Sequence, residues 1–189
     1  MNDGSRVGRV TRFLSPAECA AIKQELRFAH WRPSRVVSRD RRDGWVAQER
    51  VSESTDESWF SAPLTRRLQR IDRCLEAFVP GFRARRDPWQ AVRYHRGGAF
   101  HPHHDCLSWE EPEGNREYTF LIFLDTPRWG GSIDFPWLDL TVGARTGRML
   151  WWRNLDQEGR PDMQMTHSSL PVKAGSKTVL VSWARERAT

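Results

Sequence analysis

Residues 94–105 read Tyr94-His-Arg-Gly-Gly-Ala-Phe-His-Pro-His-His-Asp105. They hold four of the chain's six histidines and end in a carboxylate. His103 and Asp105 are two positions apart, and on an extended strand side chains at that spacing share a face. An imidazole and a carboxylate would then converge on one point. A third ligand would complete a two-His, one-carboxylate set on one side of a metal, an arrangement suited to non-haem Fe(II) with positions open to substrate and oxygen.

The third ligand must come from elsewhere in the chain. His30, His95, His101, His104 and His167 are the remaining candidates. His104 alternates to the other face, and His101 precedes Pro102, which restricts its backbone. His30 falls at the end of a predicted helix, where a cation is ordinarily favourable. His167 is able to reach the metal from a late strand of the same barrel. Ten residues on, Lys177 opens the segment Lys177-Thr-Val-Leu-Val-Ser-Trp183. Period two puts Lys177, Val179, Val181 and Trp183 on one face. An ammonium pointing into a barrel needs an anionic partner, because burying it unpaired is costly. A dicarboxylate held between Lys177 and the metal would supply one.

Outward from this core the chain divides by pattern. Ser15, Pro16 and Glu18 form a capping box with proline at the first helical position, and Cys19, Ile22 and Leu26 follow at helical spacing. This predicts a helix over about 16–28. After Pro63, the residues Leu64, Leu68, Ile71, Leu75 and Phe78 form one apolar stripe that ends at Pro80-Gly81 and should pack on a sheet. Residues 32–50 are rich in arginine and poor in large apolar residues. They read as a loop or short hairpin turning at Asp43-Gly44, a candidate lid, or else as plain disorder. From residue 89 the pattern becomes short strands: Trp89–Tyr94, Glu117–Leu124, Arg148–Trp152 and Lys177–Ala184, with glycine turns between them. The expected architecture is mainly β with N-terminal helices. A double-stranded β-helix, or jelly roll, spans about 88–185, and a helical part over about 12–80 packs on one of its sheets. The whole of 1–189 reads as one domain.

Composition narrows the class. Ten tryptophans and nine phenylalanines can build a core even though only 38% of residues are hydrophobic. No apolar run approaches the roughly 20 residues of a membrane helix, and with a polar, basic start no signal peptide is expected. Cys19, Cys74 and Cys106 have no metal spacing and cannot all pair, which points to reduced, cytoplasmic thiols. The net charge is +6, and all but three of the 30 basic residues are arginine. A basic surface attracts nucleic acid or acidic substrates, but charge alone fits an ordinary solvated surface better. The scarcity of lysine gives Lys177 more weight.

The ordered set Tyr94, Gly97, Phe100, His103-x-Asp105, His167 and Lys177 resembles the prolyl 4-hydroxylase-like branch of the Fe(II)/2-oxoglutarate oxygenases. The likeness extends to Leu14–Glu18, Gln90–Tyr94, Thr119–Asp125, Gly130-Gly131, Phe135-Pro136 and Gly147–Leu155, and so to most of residues 12–185. It implies that His103, Asp105 and His167 ligate Fe(II). It also implies that Lys177 binds the distal carboxylate of 2-oxoglutarate with help from Tyr94, and that Phe100, Arg116 and Trp183 face the substrate. The activity implied is hydroxylation of a C–H bond of a prolyl or other amino-acid residue, free or in a peptide, using O2 and releasing succinate and CO2. The halogenating relatives lack the carboxylate that Asp105 supplies. Phe100 stands where the prolyl hydroxylases usually carry tyrosine, and Ile133 where they often carry threonine, so the substrate side departs from the pattern. Two further readings are an oxidative nucleic-acid demethylase and a non-catalytic jelly-roll binding module. The demethylases usually clamp the cosubstrate with arginine, whereas Lys177 holds that place here. The loops 32–50 and 106–115 are expected to shape the substrate pocket.

Overall fold

The computed structural model describes residues 6–38, 41–106 and 114–188. Two sheets face one another. In the larger, seven strands lie in the order Val7–Val10, Met149–Arg153, Arg116–Phe123, Lys177–Arg185, Gln90–Tyr94, Glu53–Asp56, Arg32–Pro33. In the smaller, five strands lie in the order Leu140–Val142, Ile133–Phe135, His167–Ser169, Ala99–His103, Arg50–Val51. This is the expected jelly roll.

The central strands of the larger sheet are apolar on both faces because both are covered. From Arg116–Phe123 and Lys177–Arg185, the side chains of Leu121, Phe123, Val179, Val181 and Trp183 point into the barrel. There they meet Ile133, Phe135 and Val142 of the smaller sheet. The alternate residues Phe120, Ile122, Leu180 and Ala184 point outward onto the helices.

Helix α1 (Pro16–Leu26) begins as predicted. The Ser15 hydroxyl accepts from the Glu18 amide, and the Glu18 carboxylate accepts from the Ser15 amide. Helix α2 (Ala62–Leu75) is capped by Ser61 and buries Leu64, Leu68, Ile71 and Leu75 against the outer face of the larger sheet. It stops at Leu75, short of the predicted end, so Phe78 lies in the following turn and packs edge-on against Trp151. Asp72, buried on the same helix, accepts from Trp89 Nε1 at 2.8 Å and Arg86 Nε at 3.0 Å, which ties α2 to the sheet.

The arginine-rich segment is a hairpin, as one of the readings allowed, but it does not turn at Asp43-Gly44. Val36–Ser38 pairs with Arg41–Trp45, so the connection falls at residues 39 and 40, outside the described residues. Gly44 has φ 73° and sits within the second strand beside a register shift. Its left-handed backbone marks an irregularity in the ladder rather than the turn. Residues 107–113 of the other pocket-shaping loop also lie outside the described residues.

Candidate functional site

Strand register brings the histidines together. His167 lies directly opposite His103 in the antiparallel pairing of the smaller sheet, so residues 64 apart in sequence become cross-strand neighbours. Their ring centroids are 4.3 Å apart. Asp105 arrives differently from the expectation. The strand ends at His103, so a bend after it, not the period of an extended strand, turns the Asp105 carboxylate back onto the pair. The His103 and His167 Nε2 atoms stand 3.9 and 3.6 Å from the two carboxylate oxygens, and one ligand atom from each residue lies within 4.8 Å of the others.

Each group is oriented by a second contact. His103 Nδ1 lies 2.8 Å from the His101 carbonyl, and His167 Nδ1 lies 3.0 Å from the Met165 carbonyl. A carbonyl can only accept, so both rings carry a proton on Nδ1 and turn Nε2 toward the carboxylate. Thr119 Oγ1 donates to Asp105 at 2.7 Å and itself accepts from the buried Asn154 amide at 2.9 Å. Burial, reinforced by His167, pushes the His103 pKa well below its ordinary value. For Asp105, burial would raise the pKa, but His167, His103 and the Thr119 hydroxyl together hold it below the usual carboxylate range. Near neutral pH the set is therefore a lone-pair donor and an anion, ready for a divalent cation. Two imidazoles and one carboxylate in this geometry fit Fe(II).

The other histidines are elsewhere. His104 Nε2 lies 2.8 Å from the Asp162 carbonyl, His95 pairs with Glu53, and His30 packs against Trp59. His101 is exposed and contributes its carbonyl. The Cys106 thiol faces the Arg116 and Asn154 carbonyls rather than the triad.

Lys177 is completely buried, directly across the ladder from Tyr94. Its Nζ donates to the Gly131 carbonyl at 3.0 Å and to Ser169 Oγ, and lies 4.4 Å from the Tyr94 ring centroid. Gly131 has φ 75°, and that left-handed backbone presents the carbonyl to the ammonium. Among the described residues no carboxylate stands within 4 Å of Nζ, and burial lowers its pKa to about 7. Tyr94 and Ser169 line the same cavity of about 450 Å³ as the triad, with Lys177 directly behind Ser169. Ser169 was not picked out in the sequence, though it lies two residues after His167 on the same strand. A buried ammonium bonded to the Ser169 hydroxyl and lying over the Tyr94 ring fits one carboxylate of a dicarboxylic acid whose other end reaches the metal.

The three residues expected on the substrate side all line that cavity. Phe100 stacks on His103 with centroids 3.6 Å apart. The Arg116 guanidinium lies over the Trp183 ring at 3.8 Å, but its Nε is already bonded to Asp87 at 2.8 Å.

The profile of the 2OG-Fe(II) oxygenase superfamily matches residues 89–185. Prolyl 4-hydroxylase subunit alpha-1 of Rattus norvegicus is 29% identical over 194 aligned positions, covering 98% of this chain and 35% of the relative. Prolyl 4-hydroxylase subunit alpha-2 of Caenorhabditis elegans is 30% identical over 148 positions, covering 75% and 27%. The chain thus spans about a third or less of the length of these relatives. Among solved structures, the viral collagen prolyl hydroxylase of Paramecium Bursaria Chlorella virus-1, in complex with 2OG, aligns with a TM-score of 0.72 at 22% identity over 97% of each chain. A Trichoplax adhaerens prolyl hydroxylase, in complex with a hypoxia inducible factor peptide fragment, aligns with a TM-score of 0.72 at 15% identity, covering 96% of this chain and 84% of that one. With the ordered triad, the buried lysine and this fold inside the matched span, the chain belongs to the 2OG-Fe(II) oxygenase superfamily.

Proposed function

We propose that this chain is an Fe(II)- and 2-oxoglutarate-dependent hydroxylase acting on a C–H bond of a prolyl or other amino-acid residue. One observation carries the reading: the His103, Asp105, His167 set opens onto the same cavity that Lys177 backs through Ser169 and Tyr94. A metal and a dicarboxylate therefore have complementary anchors in one enclosed space.

When bound, Fe(II) would supply the oxidising chemistry, by which a substrate C–H bond, O2 and 2-oxoglutarate would give the hydroxylated product, succinate and CO2. The protein's own part is positional. His103, Asp105 and His167 would hold the metal through one ligand atom each. Lys177, Ser169 and Tyr94 would hold the far carboxylate of the keto acid. Phe100, Val179, Val181 and Trp183 line the space with apolar surface, which limits water where the C–H bond is presented.

The test is succinate formation by purified protein with Fe(II), 2-oxoglutarate and O2 across free amino acids and prolyl peptides, with products weighed by mass spectrometry. A gain of one oxygen on one class is the expected result. His103→Ala should form no succinate above background, and a fully active His103→Ala protein would refute the proposal.

A further inference from the structure

Arg50 is the residue whose surroundings the metal and cosubstrate leave unexplained. It lies on the short edge strand Arg50–Val51, directly opposite Phe100, and lines the cavity. Its guanidinium carbon stands 4.7 Å above the Phe100 ring, which in turn stacks on His103. Arg50 is thus two rings away from the metal position. Nη1 donates to the Arg35 carbonyl at 2.9 Å, while Nε is buried without a hydrogen-bond partner.

The other charges on the cavity wall are already engaged. Arg116 is bonded to Asp87, Arg32 faces Asp56 at 3.8 Å, and Arg35 donates to the Asp43 carbonyl. Asp105 belongs to the metal. Among the described residues, no carboxylate stands within 4 Å of the Arg50 guanidinium. Loading the site does not change this, because Fe(II), Asp105, a dianionic keto acid and the Lys177 ammonium balance to no net charge. A half-buried arginine whose buried Nε–H is idle, in a wall whose cations outnumber its anions, calls for an anion with two oxygens in a plane.

Resting on the hydroxylase reading, we propose that the substrate carries a carboxylate and that Arg50 binds it through its free edge. The oxidised carbon would then be held between that contact and the metal, with Phe100 as the floor. The carboxylate has two sources, the α-carboxylate of a free amino acid or the acidic side chain of a peptide.

The experiment compares matched pairs on the wild-type protein with Fe(II) and 2-oxoglutarate: proline against prolinamide, and a prolyl peptide with a flanking glutamate against the same peptide with glutamine. Affinity is read by calorimetry with Mn(II) in place of Fe(II), and turnover by hydroxylated product. A charge-assisted contact of this kind corresponds to a preference of about 10- to 100-fold for the carboxylate member. Preference within the first pair assigns the α-carboxylate, and preference within the second assigns the side chain; either supports the proposal. Arg50→Gln should erase the preference, and Arg50→Lys, which keeps the charge and loses the fork, should restore part of it. Equal affinity for charged and neutral members in the wild type overturns the proposal without needing any variant. So does a fall in 2-oxoglutarate affinity in Arg50→Gln that matches the loss of substrate affinity, since Arg50 would then serve the cosubstrate. Absence of any 2-oxoglutarate-dependent turnover in the wild type is a separate result, and it sinks the hydroxylase reading itself.

Discussion

Lys177 shows what a binding site costs the apoprotein. Its ammonium is fully buried and satisfied only by a carbonyl and a hydroxyl. Replacing it with methionine, of similar length but without charge, should stabilise the ligand-free fold by about 1 kcal/mol or more and abolish tight 2-oxoglutarate binding. Thermal denaturation and calorimetry on the same sample check both halves. The pH dependence follows from the depressed pKa of about 7, against 10.5 for an ordinary lysine. Between those values the unfolded chain holds a proton that the folded chain lacks. Stability therefore rises with pH across that window, and the whole penalty is felt below about 7. A bound carboxylate restores the charge, so binding takes up a proton above pH 7. The affinity for 2-oxoglutarate should weaken as pH climbs from 7 to 9. Titrations of the wild type should give heats that differ between buffers of different ionisation enthalpy at about pH 8.5 and agree at about pH 6, where the lysine is already charged. The Thr119 hydroxyl is a smaller case. Thr119→Val keeps the shape but removes the bond that aims Asp105, and should weaken metal affinity about 10- to 100-fold with little change in fold.

At the scale of elements, local chemistry was decisive where the contacts are local. The α1 cap involves residues three apart, and every partner needed is in the stretch Ser15–Glu18. Ser15→Ala should destabilise the protein by about 1 kcal/mol, measurable as a lower urea midpoint at unchanged slope. The strands were legible for a related reason: two-sided burial demands long apolar and β-branched runs, and those runs are visible without a structure. The hairpin of residues 36–45 was half legible. Asp43-Gly44 is a familiar turn pair, but pairing of Val36 with Trp45 places the turn earlier and leaves Gly44 to relieve the ladder. The end of α2 was overestimated because Phe78 continues the stripe in sequence while packing from a turn in space.

For the molecule as a whole, the barrel is closed by its two sheets, and ligands held between them should tighten the whole. Mn(II) and 2-oxoglutarate, each at about 100 times its dissociation constant, should together add roughly 5 kcal/mol, or on the order of 10–20 °C in Tm. In His103→Ala the shift should vanish. A thermal shift of equal size in that variant would mean that the ligands act somewhere other than the triad.

His103, Asp105, His167 and Lys177 were nominated from the chain by their resemblance, as an ordered set, to the family's motif; spacing alone singled out His103, Asp105 and Lys177 and left the third ligand open. The helix caps, the apolar stripe and the run of strands were equally open to reading, since they depend on neighbours a few positions away. Only the folded arrangement decided that Asp105 reaches the histidines from a bend, that Ser169 stands between Lys177 and the cavity, and that Thr119 and Asn154 brace the carboxylate. It alone decided that Arg50, one arginine among 27, lines the cavity and keeps a buried Nε without a hydrogen-bond partner. Those facts depend on which residues lie opposite one another across a ladder and which charges already have partners. Both are set by contacts between residues far apart in the chain, and no local pattern encodes them.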